Sequence, residues 1–178
     1  TTRPVDEIQR VVIISVDGMR PDVMLRADAP NLRGLMNRGA FTFWAWTTEV
    51  SITLPSHTSM MTGCTPEHHG ILFNDDGPQP QVYPNVPTLF ELAHQAGYTT
   101  AMCASKSKFT ALARPGSVNW LVLPPKGSMF PDRYVAQQAA HLIADHAPQV
   151  LFVHLGGVDS AGHHIGWQGL QPGDLCAE

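Results

Sequence analysis

The chain has 178 residues, of which 43% are hydrophobic and 15% charged. That is enough apolar material for the core of about one domain, and it excludes a disordered chain. The formal net charge of −4 and a pI near 6.1 point away from nucleic acid and from an anionic membrane surface, and no apolar run approaches the roughly 20 residues of a membrane helix.

In chain order, the β-branched run 10–16 predicts a buried strand of a parallel sheet, apolar on both faces. Residues 30–38 predict a helix with Pro30 in its first turn, Leu32, Leu35 and Met36 on one face, and Gly39 as its stop. The aromatic-rich stretch 40–48 predicts a strand. Residues 55–62 predict a helix ended by Gly63, and the Pro/Gly/Asp-rich stretch 74–87 a long loop. A helix over 88–95 would present Leu89, Phe90, Leu92 and Ala93, with Gly97 past its end. A strand over 98–104 leads to Ser105, a cap for a short helix over 106–113. A short strand over 117–123 follows. The longest helix, 131–146, carries Val135, Ala139, Leu142 and Ile143 on one stripe, and 149–155 is a last buried strand. Strand and helix alternate, so the expected fold is α/β with a mainly parallel sheet and helices on both faces.

Ligands of open α/β sheets bind beyond the carboxyl ends of the strands. Asp17 and Gly18 directly follow the first strand, Lys106 and Lys108 follow the strand over 98–104, and Asp159 and His163 follow the last. These groups are expected on one edge of the sheet. Asp17 alone is equally a helix-capping carboxylate. Asp159 and His163, four residues apart, pair an oxygen with a nitrogen donor and suit a divalent metal, although a polar loop with an incidental histidine reads the same way. Thr53 precedes Pro55 and a helix start, where N–H groups and the helix dipole favour anions. A hydroxyl there can attack phosphorus if a bound metal ionises it. His57, His68 and His69 read as structural, His164 as solvent-facing, and His94, His141, His146 and His154 as ordinary helix or strand residues. Cys64, Cys103 and Cys176 are widely spaced and form no CxxC pair, which argues against a disulfide scaffold and a thiolate zinc site.

Four segments occur in a telling order: Val16-Asp17-Gly18-Met-Arg-Pro-Asp22, Thr53-Leu-Pro-Ser-His-Thr-Ser-Met-Met-Thr-Gly63, Pro66-Glu-His-His-Gly-Ile-Leu-Phe-Asn74 and Val158-Asp-Ser-Ala-Gly-His163. Together they resemble the type I phosphodiesterase/nucleotide pyrophosphatase branch of the alkaline phosphatase superfamily over nearly the whole chain. The resemblance implies an alkaline phosphatase-like fold and a metal-dependent phosphoric ester hydrolase with two divalent ions, usually zinc. Asp17 matches a ligand of one metal, and Thr53 matches the nucleophile, which also ligates that metal. Asn74 matches the amide that holds a phosphoryl oxygen, and Asp159 and His163 match ligands of the second metal. The helix N-terminus near Ser56 would share the equatorial charge with Asn74. The stretch Lys106-Ser-Lys108 is also similar to the Lys-x-Lys with which phosphonoacetate hydrolases hold a carboxylate. Sulfatases of the superfamily carry Cys or Ser in C/S-x-P-x-R, and this chain lacks that arginine.

Family members carry further metal ligands, an Asp-His-Gly and a later His, which do not follow His163 here. The 178 residues are therefore expected to be an N-terminal part of such an enzyme, a single domain with one sheet edge uncovered or paired with another chain, as in a homo-oligomer. The expected partner is a small-molecule phosphate ester or phosphonate, with neither nucleic acid nor membrane. The Thr-Thr-Arg-Pro start shows no secretory leader, which suits a cytoplasmic protein or a processed periplasmic or secreted one. The alternatives are a phosphonate hydrolase or phosphomonoesterase of the same superfamily, and a catalytically inactive scaffold.

Overall fold

The computed structural model describes residues 8–78 and 80–167. Four strands, β1 (Val11–Val16), β2 (Thr100–Ala104), β3 (Trp120–Val122) and β4 (Val150–Leu155), form one sheet in the order β1-β4-β2-β3. Every strand pair is parallel, with Val11 opposite Val150, Thr100 opposite Val150 and Ala101 opposite Trp120. Parallel neighbours need crossovers. The helices α1 (Pro21–Met24), α2 (Pro30–Met36), α3 (Thr53–Thr62), α4 (Pro66–His69) and α5 (Leu89–Gln95) lie between β1 and β2 in sequence. The helix α6 (Asp132–His146) returns the chain from β3 to β4, and α7 (Gly157–Ile165) follows β4.

The central strands are apolar on both faces because both faces are covered. Ala101, Cys103, Leu151 and Val153 pack against Val135 and Ala139 of α6. Their neighbours Met102, Ala104 and Phe152 pack on the other side with Met61 of α3, Phe90 and Ala93 of α5, and Phe109 and Leu112. The period of two in β2 and β4 thus divides the residues between two cores. Burial pushes the Cys103 thiol up to about 11. Cys64 and Cys103 are both free thiols, and Cys176 lies outside the described residues.

Several expectations are corrected. β1 is an edge strand, and its Val12 and Ile14, beside Leu151 and Val153, are 41% and 61% exposed because α6 does not reach over them. Residues 40–48 form no strand. Leu35 and Leu92 are exposed, so the buried faces of α2 and α5 are narrower than their apolar patterns. The helix expected over 106–113 is a 3₁₀ turn, Ser107–Leu112, and its N-cap is Lys106. Ser105 instead reaches the Nδ1 of His154. α3 begins at Thr53, two residues earlier than expected. Pro55 still falls in the first turn, where a missing N–H costs nothing.

Candidate active site

The first strand delivers Asp17 directly. Its N–H continues the ladder to the carbonyl of Leu155 (2.9 Å), and the chain then turns at Gly18 with φ +71°. A Cβ on Gly18 would lie 2.7 Å from the Cα of Asp159. The missing side chain is what lets the turn after β1 lie against α7. Asp159 and His163 lie just past β4, as expected, one helical turn apart on α7, with Asp159 Oδ1 3.4 Å from His163 Nε2. The start of α7 is held by Asp132, which accepts from the N–H groups of Gly156 (2.8 Å) and Gly157 (3.0 Å). Beyond the helix, Trp167 Nε1 donates to the carbonyl of Gly18 (3.0 Å).

Thr53 is the first residue of α3, and its Oγ1 donates to Asp17 Oδ2 at 3.1 Å. Asn74 Oδ1 accepts from the N–H of Leu54 (2.9 Å) and from Lys108 Nζ (3.2 Å), and Lys108 also donates to the Asn74 carbonyl (2.6 Å). With Oδ1 so engaged, the Asn74 amide nitrogen is the end left to donate. Asp17, Thr53, Asn74, Asp159 and His163 line one open cleft of about 780 Å³.

The helix N-terminus differs from expectation. The Ser56 N–H donates to the carbonyl of Ile52 (3.1 Å), that of Leu54 to Asn74, and Pro55 has none. Thr53 therefore supplies the first-turn N–H that a ligand could use, and Ser56 does not. Its hydroxyl donates to the carbonyl of Val50 and contacts Thr48.

Lys106 joins the two carboxylates. Its Nζ lies 2.7 Å from Asp17 Oδ2 and 2.6 Å from Asp159 Oδ2, and all three side chains are 17% exposed or less. Burial raises the Asp17 pKa, but hydrogen bonds from His154 and Lys106, and then their charges, outweigh it and hold the carboxyl well below the usual carboxylate range. Burial lowers the Lys106 pKa, but the hydrogen bonds and charges of Asp159 and Asp17 more than reverse this, so it stands above the ordinary lysine value. Lys108, by contrast, is pushed down by burial and then by the Lys106 charge.

Three buried histidines surround the cleft, of which His57 lines it. His57 Nδ1 donates to the Thr53 carbonyl (2.7 Å), so its Nε2 accepts from the hydroxyl of Ser15 (2.7 Å). Burial, and then His154, push His57 down to about 4. It is a structural residue at neutral pH, as its sequence position suggested. His69 is likewise buried, with Nε2 on Ser59 and Nδ1 accepting from Ile71 N–H. His154 was missed. Fully buried, it directs Nε2 at Asp17 Oδ2 (3.3 Å), a contact across 137 residues of chain that no local pattern signals.

The ligand atoms of Asp17, His57 and His154 lie within 4.8 Å of one another; the His57 nitrogens are held by Thr53 and Ser15, and those of His154 by Ser105 and Asp17 itself. The donors facing the cleft are Asp17, Thr53, Asp159 and His163. Two carboxylates, a hydroxyl and an imidazole suit a divalent cation. The ammonium of Lys106 between the carboxylates shows that a cation is favoured at this position.

Residues 11–174 match the family described as type I phosphodiesterase / nucleotide pyrophosphatase. An uncharacterised pyrophosphatase/phosphodiesterase of Schizosaccharomyces pombe is 40% identical over 65 residues, which is 36% of this chain and 13% of that protein. Among solved structures, an inactive threonine-to-alanine variant of murine ectonucleotide pyrophosphatase / phosphodiesterase 5 in complex with AMP superposes with a TM-score of 0.69 at 18% identity, covering 89% of this chain and 46% of that one. Phosphonoacetate hydrolase from Sinorhizobium meliloti, in complex with phosphonoacetate, superposes with a TM-score of 0.62 at 17% identity, covering 83% and 46%. The chain thus spans about half the length of these solved relatives, which share its alkaline phosphatase-like α/β fold.

Proposed function

Because the chain belongs to the type I phosphodiesterase / nucleotide pyrophosphatase family, a family of metal-dependent phosphoric ester hydrolases, we propose that this cleft hydrolyses a phosphoric diester or pyrophosphate with Thr53 as nucleophile. The observation that carries the reading is the Thr53 hydroxyl at the head of α3, 3.1 Å from Asp17 Oδ2, in a cleft shared with Asn74, Asp159 and His163.

Asp17 and Thr53 would hold one divalent ion and Asp159 and His163 a second, zinc being well suited to these oxygen and nitrogen donors. Bound ions supply acidification of a coordinated hydroxyl and neutralisation of phosphoryl charge. Asp17 orients the Thr53 Oγ1 for in-line attack on phosphorus. As the P–O bond to Thr53 forms, the hydroxyl proton passes to solvent, the ester P–O bond breaks, and the leaving oxygen departs as an alcohol after taking a proton from solvent. Water then attacks the phosphothreonine, its P–O bond to Thr53 breaks, and the Thr53 hydroxyl is restored as the phosphoryl product leaves. Asn74 donates through its amide to an equatorial phosphoryl oxygen, joined by the Thr53 N–H. His57 takes no proton, since Ser15 already occupies its Nε2. His154 positions Asp17. The structural neighbour with AMP bound, inactivated by replacement of a threonine, supports this choice of nucleophile and ligand class.

A carboxylated phosphonate is the second reading. It rests on Lys106 and Lys108, whose ammonium groups stand against Asp17, Asp159 and Asn74, and on the fold shared with a phosphonoacetate complex.

The test is turnover of bis-p-nitrophenyl phosphate and of phosphonoacetate in the presence of zinc. Thr53→Ala should lose several orders of magnitude in kcat while Thr53→Ser retains part of it. Asn74→Ala should lose roughly 10²–10³, as a lost oxyanion donor does. Near-normal turnover by Thr53→Ala would refute the assignment.

A further inference from the structure

The cation site is already filled by part of the chain. Lys106 Nζ contacts the Oδ2 of both Asp17 and Asp159, one carboxylate from each of the two ion positions proposed above. Ligation by zinc would bring those carboxylates to about 2.0–2.2 Å from the metal, and an ammonium held between them stands in the way and repels the ion. Both effects oppose binding until the side chain moves.

The surroundings are arranged so that the side chain can move without its backbone. Lys106 is extended at the head of the 3₁₀ turn and pairs with Met129 in an antiparallel bridge, so its Cα is fixed. Its stem runs across Gly156. A Cβ there would lie 3.2 Å from Lys106 Cε and 2.5 Å from Ser105 Oγ. The glycine leaves the room through which the stem passes.

We propose that Lys106 is a built-in counter-cation, holding the Asp17 and Asp159 carboxylates together in the metal-free chain and displaced when divalent ions bind. The inference rests on the reading of Asp17 and Asp159 as ligands of those ions. It assigns Lys106 the Asp17 and Asp159 carboxylates as partners until the ions bind. Lys106 thereby sets the cation affinity of the site.

The experiment measures zinc affinity of the chelator-stripped protein by competition with a chromophoric chelator, together with thermal stability of the stripped form. Lys106→Met should bind zinc roughly tenfold or more tighter, the scale of removing one like charge beside an ion. Its stripped form should melt below the wild type, because the two carboxylates are left facing each other, and zinc should remove that difference. Lys106→Arg, which keeps the charge, should stay near wild type in both. Equal or weaker zinc binding by folded Lys106→Met overturns the proposal. If that variant does not fold, acetylation of the wild type, read by mass spectrometry, decides. Zinc should expose Lys106 to acetylation relative to Lys126, and an unchanged ratio overturns the proposal. Asp17→Asn separates the two readings. Wild-type zinc binding that depends on Asp17 but is insensitive to Lys106 defeats this inference alone, whereas a wild-type chain that binds no zinc defeats both.

Discussion

At the residue scale, the site depends on small groups that let large ones meet. Gly18 is the clearest case, with φ +71° and α7 packed where its side chain would be. Gly18→Ala adds left-handed strain worth about 1–3 kcal/mol and pushes Asp159 away from Asp17. It should lower the denaturation midpoint and weaken zinc binding together. A variant with wild-type zinc affinity would show that the close approach is not needed. That Asp17 and Asp159 come to one edge of the sheet was legible because each follows a strand, while Thr53 and Asn74, which line the same cleft, stood out through the order of the four segments. His154 was not, because what matters in it is a contact with a residue at the far end of the chain. Nor was the joining of Asp17 to Asp159 by Lys106, since the sequence placed a lysine on the right edge without showing what it would touch.

At the element scale, local rules predicted existence better than boundaries. α5 carries a full capping box. Thr88 accepts from the Glu91 N–H, and Glu91 accepts from the Thr88 N–H. Thr88→Ala should therefore cost about 1 kcal/mol, measurable by urea denaturation, and an unchanged midpoint would mean that α5 is held by packing of Phe90 and Ala93 alone. The aromatic stretch 40–48 misled because β-propensity describes residues that suit a paired, half-buried surface. Here Trp44 and Trp46 are 86% and 97% exposed, and no strand partner is present among the described residues. α7 was not among the predicted elements; Gly157 and Gly162 are poor helix formers and weaken the local signal. The tight packing of Trp167 on Gly162 supplies a tertiary reason for a glycine inside a helix.

At the scale of the whole molecule, the parallel α/β architecture was legible from the alternation of short apolar runs with helical stripes. Burial across the sheet was not. The two faces of β2 and β4 are covered, while β1 is covered on one side only, and an apolar run alone cannot distinguish those cases. The difference is measurable. Phe152→Ala, in the core between α3, α5 and the sheet, should cost about 3–5 kcal/mol. Ile14→Thr, at a position 61% exposed, should stay within about 0.5 kcal/mol of wild type. Denaturation midpoints of the two variants would test the asymmetry, and a large loss at Ile14 would refute it.

The strand order has a consequence in time. β1 pairs only with β4, so Asp17 cannot meet His154, 137 residues later, until nearly the whole described chain exists. At ribosomal rates of about 5–20 residues per second, about 7–27 seconds separate the synthesis of these two strands. During that interval the β-branched segment Val11–Val16 has emerged without its partner, while β2 and β3, close in sequence and adjacent in the sheet, are free to pair. Closure of the sheet by β4 is therefore a late step in biogenesis. The same step pairs β1 along one edge and brings Asp17 to Asp159, so a single late event completes both the sheet and the cleft that these carboxylates line.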